Sequence, residues 1–561
     1  MADTYDYIIV GGGLTGRAMA GRLASRDKLL QILIIEAGSN VANHPLTSTP
    51  LACFAAHHTE LDWDYTTVAQ KHLNNRTCYQ AAGKALGGGT AINYGTWTRG
   101  NAADYNLWAK LVGDESWSYE GLLPYFIRSE THFDLNADPA IHGSTGPIFN
   151  TVVSKSSPDR KYPLREPLQA AWEHLGVRFN PDANDGKPLG LAEFGEAWRD
   201  GQRQLASEAY GLANLRGITI LTDTLVSKVI LEERESEQAA TGVETATGEI
   251  YNASKEVIIS AGAYHTPQLL MLSGIGPAEE LSRHNIPVLV DCPDVGRNLH
   301  DHFCFPQWWK LRHPEKGLAM GTPLWSSPAY VTGLPLDWNV TLQTPAEDLR
   351  RALQKDEGEG EGEAASPKDH PYLDPAFAHT EIIVIYAPIN EGFAGFEAPM
   401  DGTHISTLVL LMAPTSRGQI TLENANPASA PLIDPNYLST EVDRAIIRDG
   451  IRTVASLLLE TPEGQERVEE EVPRPGNTPT RLDLTDEEID EIVRRAGITF
   501  MHPGGTAAMG KVVDTQLRVK GVRGLRVADA SILSVPIVAH YQAVLYAVAE
   551  KAADLIFGEL R

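Results

Sequence analysis

The chain opens YDYIIVGGGLTGRAMAGRLAS and soon continues QILIIEAG, and no other stretch limits the fold so tightly. YDYIIV (5–10) is a short run rich in β-formers, and QILIIEAG (31–38) is an apolar run of the kind buried inside a parallel sheet. Between them a glycine turn enters a helical pattern, so the order is strand, helix, strand. Such a unit predicts an α/β fold with a Rossmann-like, doubly wound sheet. Gly11, Gly13 and Gly16 form GxGxxG at the turn, and Glu36 ends the second strand twenty residues after Gly16. The glycines permit a tight turn and close approach of a pyrophosphate to the helix N-terminus, and Glu36 can accept ribose hydroxyls. The bland reading is a tight turn beside a satisfied surface glutamate. In its strand–helix setting the pattern points to a bound dinucleotide, and it leaves NAD and FAD both open.

At 561 residues and 42% hydrophobic content the chain is too long for one ordinary domain. Strand-like runs return in mid-chain as ITILTDTLVSKVILEE and EVIISAGA, and GLRVADAS (524–531) precedes a helical pattern from Gln542 to Phe557. Residues 104–215 read as helix and loop, whereas AHTEIIVIYAP and HISTLVLLMAP read as strands of another sheet. The expected organisation is a discontinuous nucleotide domain, residues 1–103, 216–302 and 510–561. A substrate domain of α+β type, 104–215 and 303–509, is inserted on a second, largely antiparallel sheet. KDEGEGEGEAASPKDHP (355–371) is acidic and Gly-rich with little to bury, and predicts a mobile surface loop.

A formal charge of −26 makes nucleic acid and anionic membrane poor partners. Cys53, Cys78, Cys292 and Cys304 lie far apart without a CxxC, so neither a metal site nor a disulfide framework is expected. The N-terminus carries no basic, apolar signal pattern, and no apolar run reaches membrane-spanning length. Sequons at Asn75, Asn252 and Asn339 then read as chance matches in a cytoplasmic protein, a monomer or homodimer.

Two further stretches carry chemistry. AAGKALGGGTAINYGTWTRG (81–100) holds three consecutive glycines, Gly87 to Gly89, then Thr90 and Asn93, a backbone able to lie against a flat, bulky ligand. ITFMHPGGTAAMG (498–510) places His502 before a proline and paired glycines. With RGNAADYNLWA, GAYHTPQLLMLSGIGP, VGRNLHDH, TSRGQITL, IDPNYL and LRVADAS in this order, the chain resembles the glucose–methanol–choline (GMC) family of FAD-dependent oxidoreductases from end to end. Within that family it is most similar to the fungal, aryl-alcohol-oxidase-like members. The resemblance implies FAD, held by the fingerprint glycines with Glu36, Gly88, Thr90 and Asn93. It sets Val226 near the adenine, Asp529 and Ala530 near the pyrophosphate and ribityl stretch, and Gln542 near the flavin pyrimidine. It also implies that His502 is the base facing the flavin N5 and that His540 is its partner.

The chemistry needs such a pair. An alcohol O–H has a pKa far above 7, so hydride leaves the carbinol carbon readily only as the oxygen loses its proton. One imidazole with a pKa near 7 can take that proton, and a second can hydrogen-bond the developing alkoxide. On residues alone, a lone histidine beside a proline such as His502 reads more readily as a packed core residue. Tyr94, Trp97 and Phe500 flank the reactive segments and are expected to line the substrate pocket. His57, His58, His142, His300 and His302 are expected to be structural. Some relatives attach FAD covalently through a histidine just before the asparagine; Ile92 stands here, so FAD is expected to be non-covalent. The expected activity is oxidation of a primary, aromatic or polyketide-type alcohol to an aldehyde, with O2 or a quinone as electron acceptor. The alternatives are a non-redox lyase or cyclase on the same scaffold and a catalytically dead flavin-binding partner.

Overall fold

The computed structural model describes residues 4–212, 215–357, 370–389 and 397–559. The opening βαβ unit forms as its sequence predicts: strand Thr4–Val10, helix Leu14–Arg26 and strand Ile32–Ile35. These strands pair in parallel, and Ile218–Leu221 and Ile250–Ile259 extend the sheet on either side. Val226–Arg234 and Glu237–Thr245 add an antiparallel edge, and Leu525–Val527 returns in parallel beside Ile250–Ile259. All four residues of Ile32–Ile35 are buried, as a strand covered on both faces requires.

The C-terminal helix Gln542–Glu559 packs against Leu14–Arg26 and against Tyr119–Ser129. Ala543, Ala547, Ala549, Ala552 and Ala553 are all buried, and their small side chains let neighbouring helices approach closely. The fully buried carboxylate of Glu550, on this helix, accepts from Arg22 at 2.7 Å and from the Tyr210 hydroxyl at 2.9 Å.

The second sheet runs in the order Val468–Glu471, Phe303–Leu311, His404–Leu411, Thr380–Ile385, Trp338–Leu342, Gly190–Glu193 and Phe179–Asn180, with Ile498–Thr499 beside Phe303–Leu311. Every pairing is antiparallel except the last pair of that order. Helix Glu441–Leu459 covers this sheet, and Gly450 permits a close approach: a Cβ there would lie 2.4 Å from Val409 Cγ1. Thr380–Ile385 and His404–Leu411 are buried throughout, so a charge on either strand needs a partner.

Two boundaries differ from expectation. Lys355–Glu357 close the helix Ala346–Glu357 instead of opening a loop, and Pro371–Leu373 form a 3-10 turn. Asp356 accepts the Glu441 and Val442 N–H groups at 2.6 and 2.9 Å, an acid at a helix N-terminus. The rest of the acidic segment, 358–369, lies outside the described residues. The apolar cores also do not divide at residue 103: Tyr105, Trp108, Trp117 and Phe126 pack into the core of the first sheet. No helix among the described residues is long and apolar enough to cross a membrane. The four cysteines are buried free thiols.

Candidate active site

One cavity of about 380 Å³ runs between the two sheets' contributions. It is bordered by Gly11, Gly13, Glu36, Gly88, Thr90, Asn93, Val226, Asp529, Ala530 and Gln542, and by His502 and His540. The glycines play distinct parts. Gly11 sits at φ +103°, and a Cβ there would lie 2.3 Å from the Ser260 carbonyl oxygen. Gly16 is off the cavity; its Cβ would strike the Gly11 carbonyl at 2.3 Å, so it serves helix–strand packing. Gly13 is different: a Cβ there meets only Gly88 Cα at 3.8 Å, and one at Gly89 meets nothing within 4 Å. Bare backbone therefore forms this wall, which suits a bulky ligand carrying phosphates.

Glu36 is gripped by the N–H groups of Gly12 and Gly38, each at 2.8 Å. Burial pushes its carboxyl up to about 7, against those hydrogen bonds, and hydroxyl donors at the cavity would favour the ionised form. Asn93 donates its amide N–H to Gln542 Oε1, and its own oxygen accepts from Arg203 at 2.8 Å. The Asp529 carboxylate is occupied within the protein: it accepts from Ser531, Thr266 and the Gly262 N–H. The Thr90 hydroxyl likewise donates to Gly87 O at 2.7 Å. These two residues shape the cavity wall with spent side chains. The donors, acceptors and bare backbone fit a dinucleotide.

His502 is positioned by antiparallel neighbours. Phe303 pairs with Thr499 and His300 with Gly504, so 300–303 runs alongside 499–504 and brings two imidazoles together. His302 Nδ1 lies 2.9 Å from His502 Nδ1. Asp301 fastens the same turn, accepting the His502 N–H at 2.8 Å and the Thr499 hydroxyl at 2.6 Å. Met501, just before His502, sits at φ +62°, a left-handed conformation costly for this side chain and characteristic of over-determined functional turns. His540 arrives from the other side, its N–H bonded to Thr98 Oγ1 at 2.8 Å. The two rings are 4.9 Å apart at 73°, with Phe500 edge-on to both at 5.1 and 5.3 Å.

Burial, then His540 and His302, hold His502 well below its ordinary 6.5, so it is a neutral base across the physiological range. The pKa near 7 expected from its residue type is lowered by this burial. Burial also depresses His302, to about 3. His540 Nε2 lies 2.6 Å from Glu381 Oε1, and Glu381 Oε2 accepts from Asn339 at 3.0 Å.

Phe500 and Tyr94 border the cavity as expected. Trp97 does not: its indole N–H is spent on Glu130 at 3.2 Å and its ring packs at 6.1 Å from Tyr546, inside the first core. His302, read as structural, touches His502 directly, and His57, also read as structural, borders the cavity. Glu381 was missed altogether. Its signal was present: a single acid inside the apolar run TEIIVI.

Residues 5–304 and 414–549 match the N- and C-terminal parts of the family described as GMC oxidoreductase. The GMC-type oxidoreductase acuG of Aspergillus aculeatus is 44% identical over 559 residues, 100% of both chains. A solved structure of Aspergillus oryzae formate oxidase aligns over 99% of this chain and 98% of its own, with 30% identity and a TM-score of 0.86. Pyridoxine 4-oxidase from Mesorbium loti aligns over 99% of both chains, with 28% identity and a TM-score of 0.82.

Proposed function

The chain belongs to the GMC oxidoreductase family of FAD-dependent enzymes, and on that premise we propose that it oxidises a primary alcohol, aromatic or polyketide-type, to the aldehyde. Non-covalently bound FAD supplies the hydride acceptor, at its N5. His502 takes the hydroxyl proton on Nε2, since its Nδ1 is engaged by His302. His540, anchored by its Nε2–H to the Glu381 carboxylate, donates to the developing alkoxide from its other nitrogen, a role that takes the doubly protonated ring. Phe500 and the apolar walls keep water from the carbinol carbon, which strengthens both contacts. Gly11, Gly13, Gly88, Glu36, Asn93 and Gln542 hold the cofactor, with Val226, Asp529 and Ala530 shaping its bed and Gly16 bracing the fingerprint helix.

The observation that carries this reading is the pair itself: two imidazoles 4.9 Å apart on one cavity, each with one nitrogen tied back into the protein. The cofactor residues come from 1–103, 216–302 and 510–561, the discontinuous FAD-binding domain proposed here. Residues 303–509 supply Glu381, Phe500 and His502. O2 or a quinone as oxidant, a monomer or homodimer, and a cytoplasmic setting belong to the same proposal.

Mixing the holoenzyme anaerobically with a panel of primary alcohols tests it. Bleaching of the flavin absorbance with stoichiometric aldehyde is the expected result. Turnover with a flavin that stays oxidised throughout would favour the non-redox lyase or cyclase instead.

A further inference from the structure

Around the histidine pair the cavity wall is apolar, with Phe54, Phe194, Leu334, Ile383, Ile385 and Leu408 among its residues. Into this wall opens a chain of hydrogen bonds that the oxidation itself does not use. It starts at Asp62, which is buried and accepts backbone N–H groups from His58, Asp64 and Ala82 at 3.2, 3.1 and 2.9 Å. Tyr79 donates its hydroxyl proton to the same carboxylate. Its oxygen can then only accept, so His57 Nδ1, 3.0 Å away, is the nitrogen that carries a proton.

Burial holds His57 below its ordinary pKa, and a neutral imidazole has one donor and one acceptor. Nε2 is therefore the acceptor, and its partner is the Tyr94 hydroxyl at 2.7 Å. Every proton in the chain points towards Asp62. Whatever else Tyr94 touches, it has only lone pairs to offer. The residue borders the cavity beside Phe54, whose ring centre is 5.0 Å from its own. It follows Asn93, which is bonded to Gln542, so it stands close in the chain path to His540.

We propose that the Tyr94–His57–Tyr79–Asp62 chain is a specificity subsite, selecting aromatic primary alcohols that carry a second hydrogen-bond donor, a phenolic hydroxyl, on the ring. The subsite rests on the alcohol-oxidation reading given above. A methoxy group at the same ring position offers only an acceptor and faces an acceptor. A site built to receive a donor discriminates against the analogue that lacks it.

The test compares 3- and 4-hydroxybenzyl alcohol with the matching methoxybenzyl alcohols, mixed anaerobically with the holoenzyme while flavin reduction is followed. The hydroxyl compound should be preferred at one ring position by roughly tenfold, the scale of one buried hydrogen bond. Tyr94→Phe should bring that ratio to near one. Tyr79→Phe frees the His57 tautomer, lets Tyr94 donate as well as accept, and should also lower the ratio. The same discrimination is read in the Kd values of the hydroxy- and methoxybenzaldehydes, from their perturbation of the flavin absorbance without reduction. Binding discrimination without reduction by any alcohol would overturn the oxidation reading and keep the subsite. Equal binding and reaction of both classes at both ring positions overturns the subsite, as does a Tyr94→Phe variant that keeps the wild-type ratio.

Discussion

Glu381 Oε1 sits 2.6 Å from His540 Nε2, and the same carboxylate accepts from Asn339 through its other oxygen. A carboxylate with donors on both sides has no room for a donor of its own. In Glu381→Gln one end of the amide must turn its N–H2 towards either the Asn339 donor or the His540 N–H. The imidazole then loses its charge-assisted anchor. Flavin reduction should slow by roughly tenfold with FAD content unchanged, and stopped-flow reduction of the variant reads this. Wild-type speed would mean that His540 needs no anchor.

Gly13 and Gly16 should fail in different ways. A branch at Gly13 enters the cavity and meets little protein, so Gly13→Val should fold and lose FAD. A Cβ at Gly16 collides with the Gly11 carbonyl, so Gly16→Ala should lower the Tm whether or not FAD is present. Flavin-to-protein absorbance ratios and thermal melts of the two variants separate these outcomes; a flavin-replete Gly13→Val protein would contradict the assignment.

FAD should leave the polypeptide intact on heating or acid precipitation. Ile92, which borders the cavity just before Asn93, carries no atom that could bond to the flavin. Flavin fluorescence that remains with the washed, denatured chain would disprove this.

Glu36 makes a stability prediction with a definite sign. Burial raises its folded pKa from 4.5 to about 7, so its neutral form is favoured on folding. The stability it contributes is full below pH 4.5 and is lost as the pH rises through 7. The shift corresponds to about 3 kcal/mol. In FAD-stripped protein, urea unfolding should therefore show this loss between those pH values, and Glu36→Gln should flatten it. FAD should flatten it too, because ribose hydroxyls favour the carboxylate.

Much of this was legible in the chain. The βαβ opening was written in local pattern, and the fingerprint glycines carry backbone constraints that no other residue meets. His502 and His540 were found through the segments around them. What stayed hidden depends on pairings distant in sequence. His302 meets His502 only because 300–303 lies antiparallel to 499–504, and Glu381 meets His540 across 159 residues. Trp97 misled because an aromatic near a reactive loop points outward or inward according to packing, and Glu130 drew its indole N–H into the core. Burial was equally unreadable, and it decides the acidity of His502.

That acidity shapes the last prediction. A base must be neutral to take a proton, so the reduction rate falls as the pH drops through its pKa. An exposed imidazole would produce that fall near 6.5. His502 is held well below this by burial and by two neighbouring imidazoles, so the fall belongs at more acidic pH. Anaerobic stopped-flow reduction should therefore be flat for this group above pH 6.5. His502→Ala should keep FAD and fold and reduce the flavin roughly 10²–10⁴-fold more slowly, about 3–5 kcal/mol of barrier. His540→Ala should also slow reduction, and His540→Asn should recover part of the loss by restoring a donor. A His502→Ala enzyme reduced at wild-type speed would leave that imidazole as packing and pass the proton to another group.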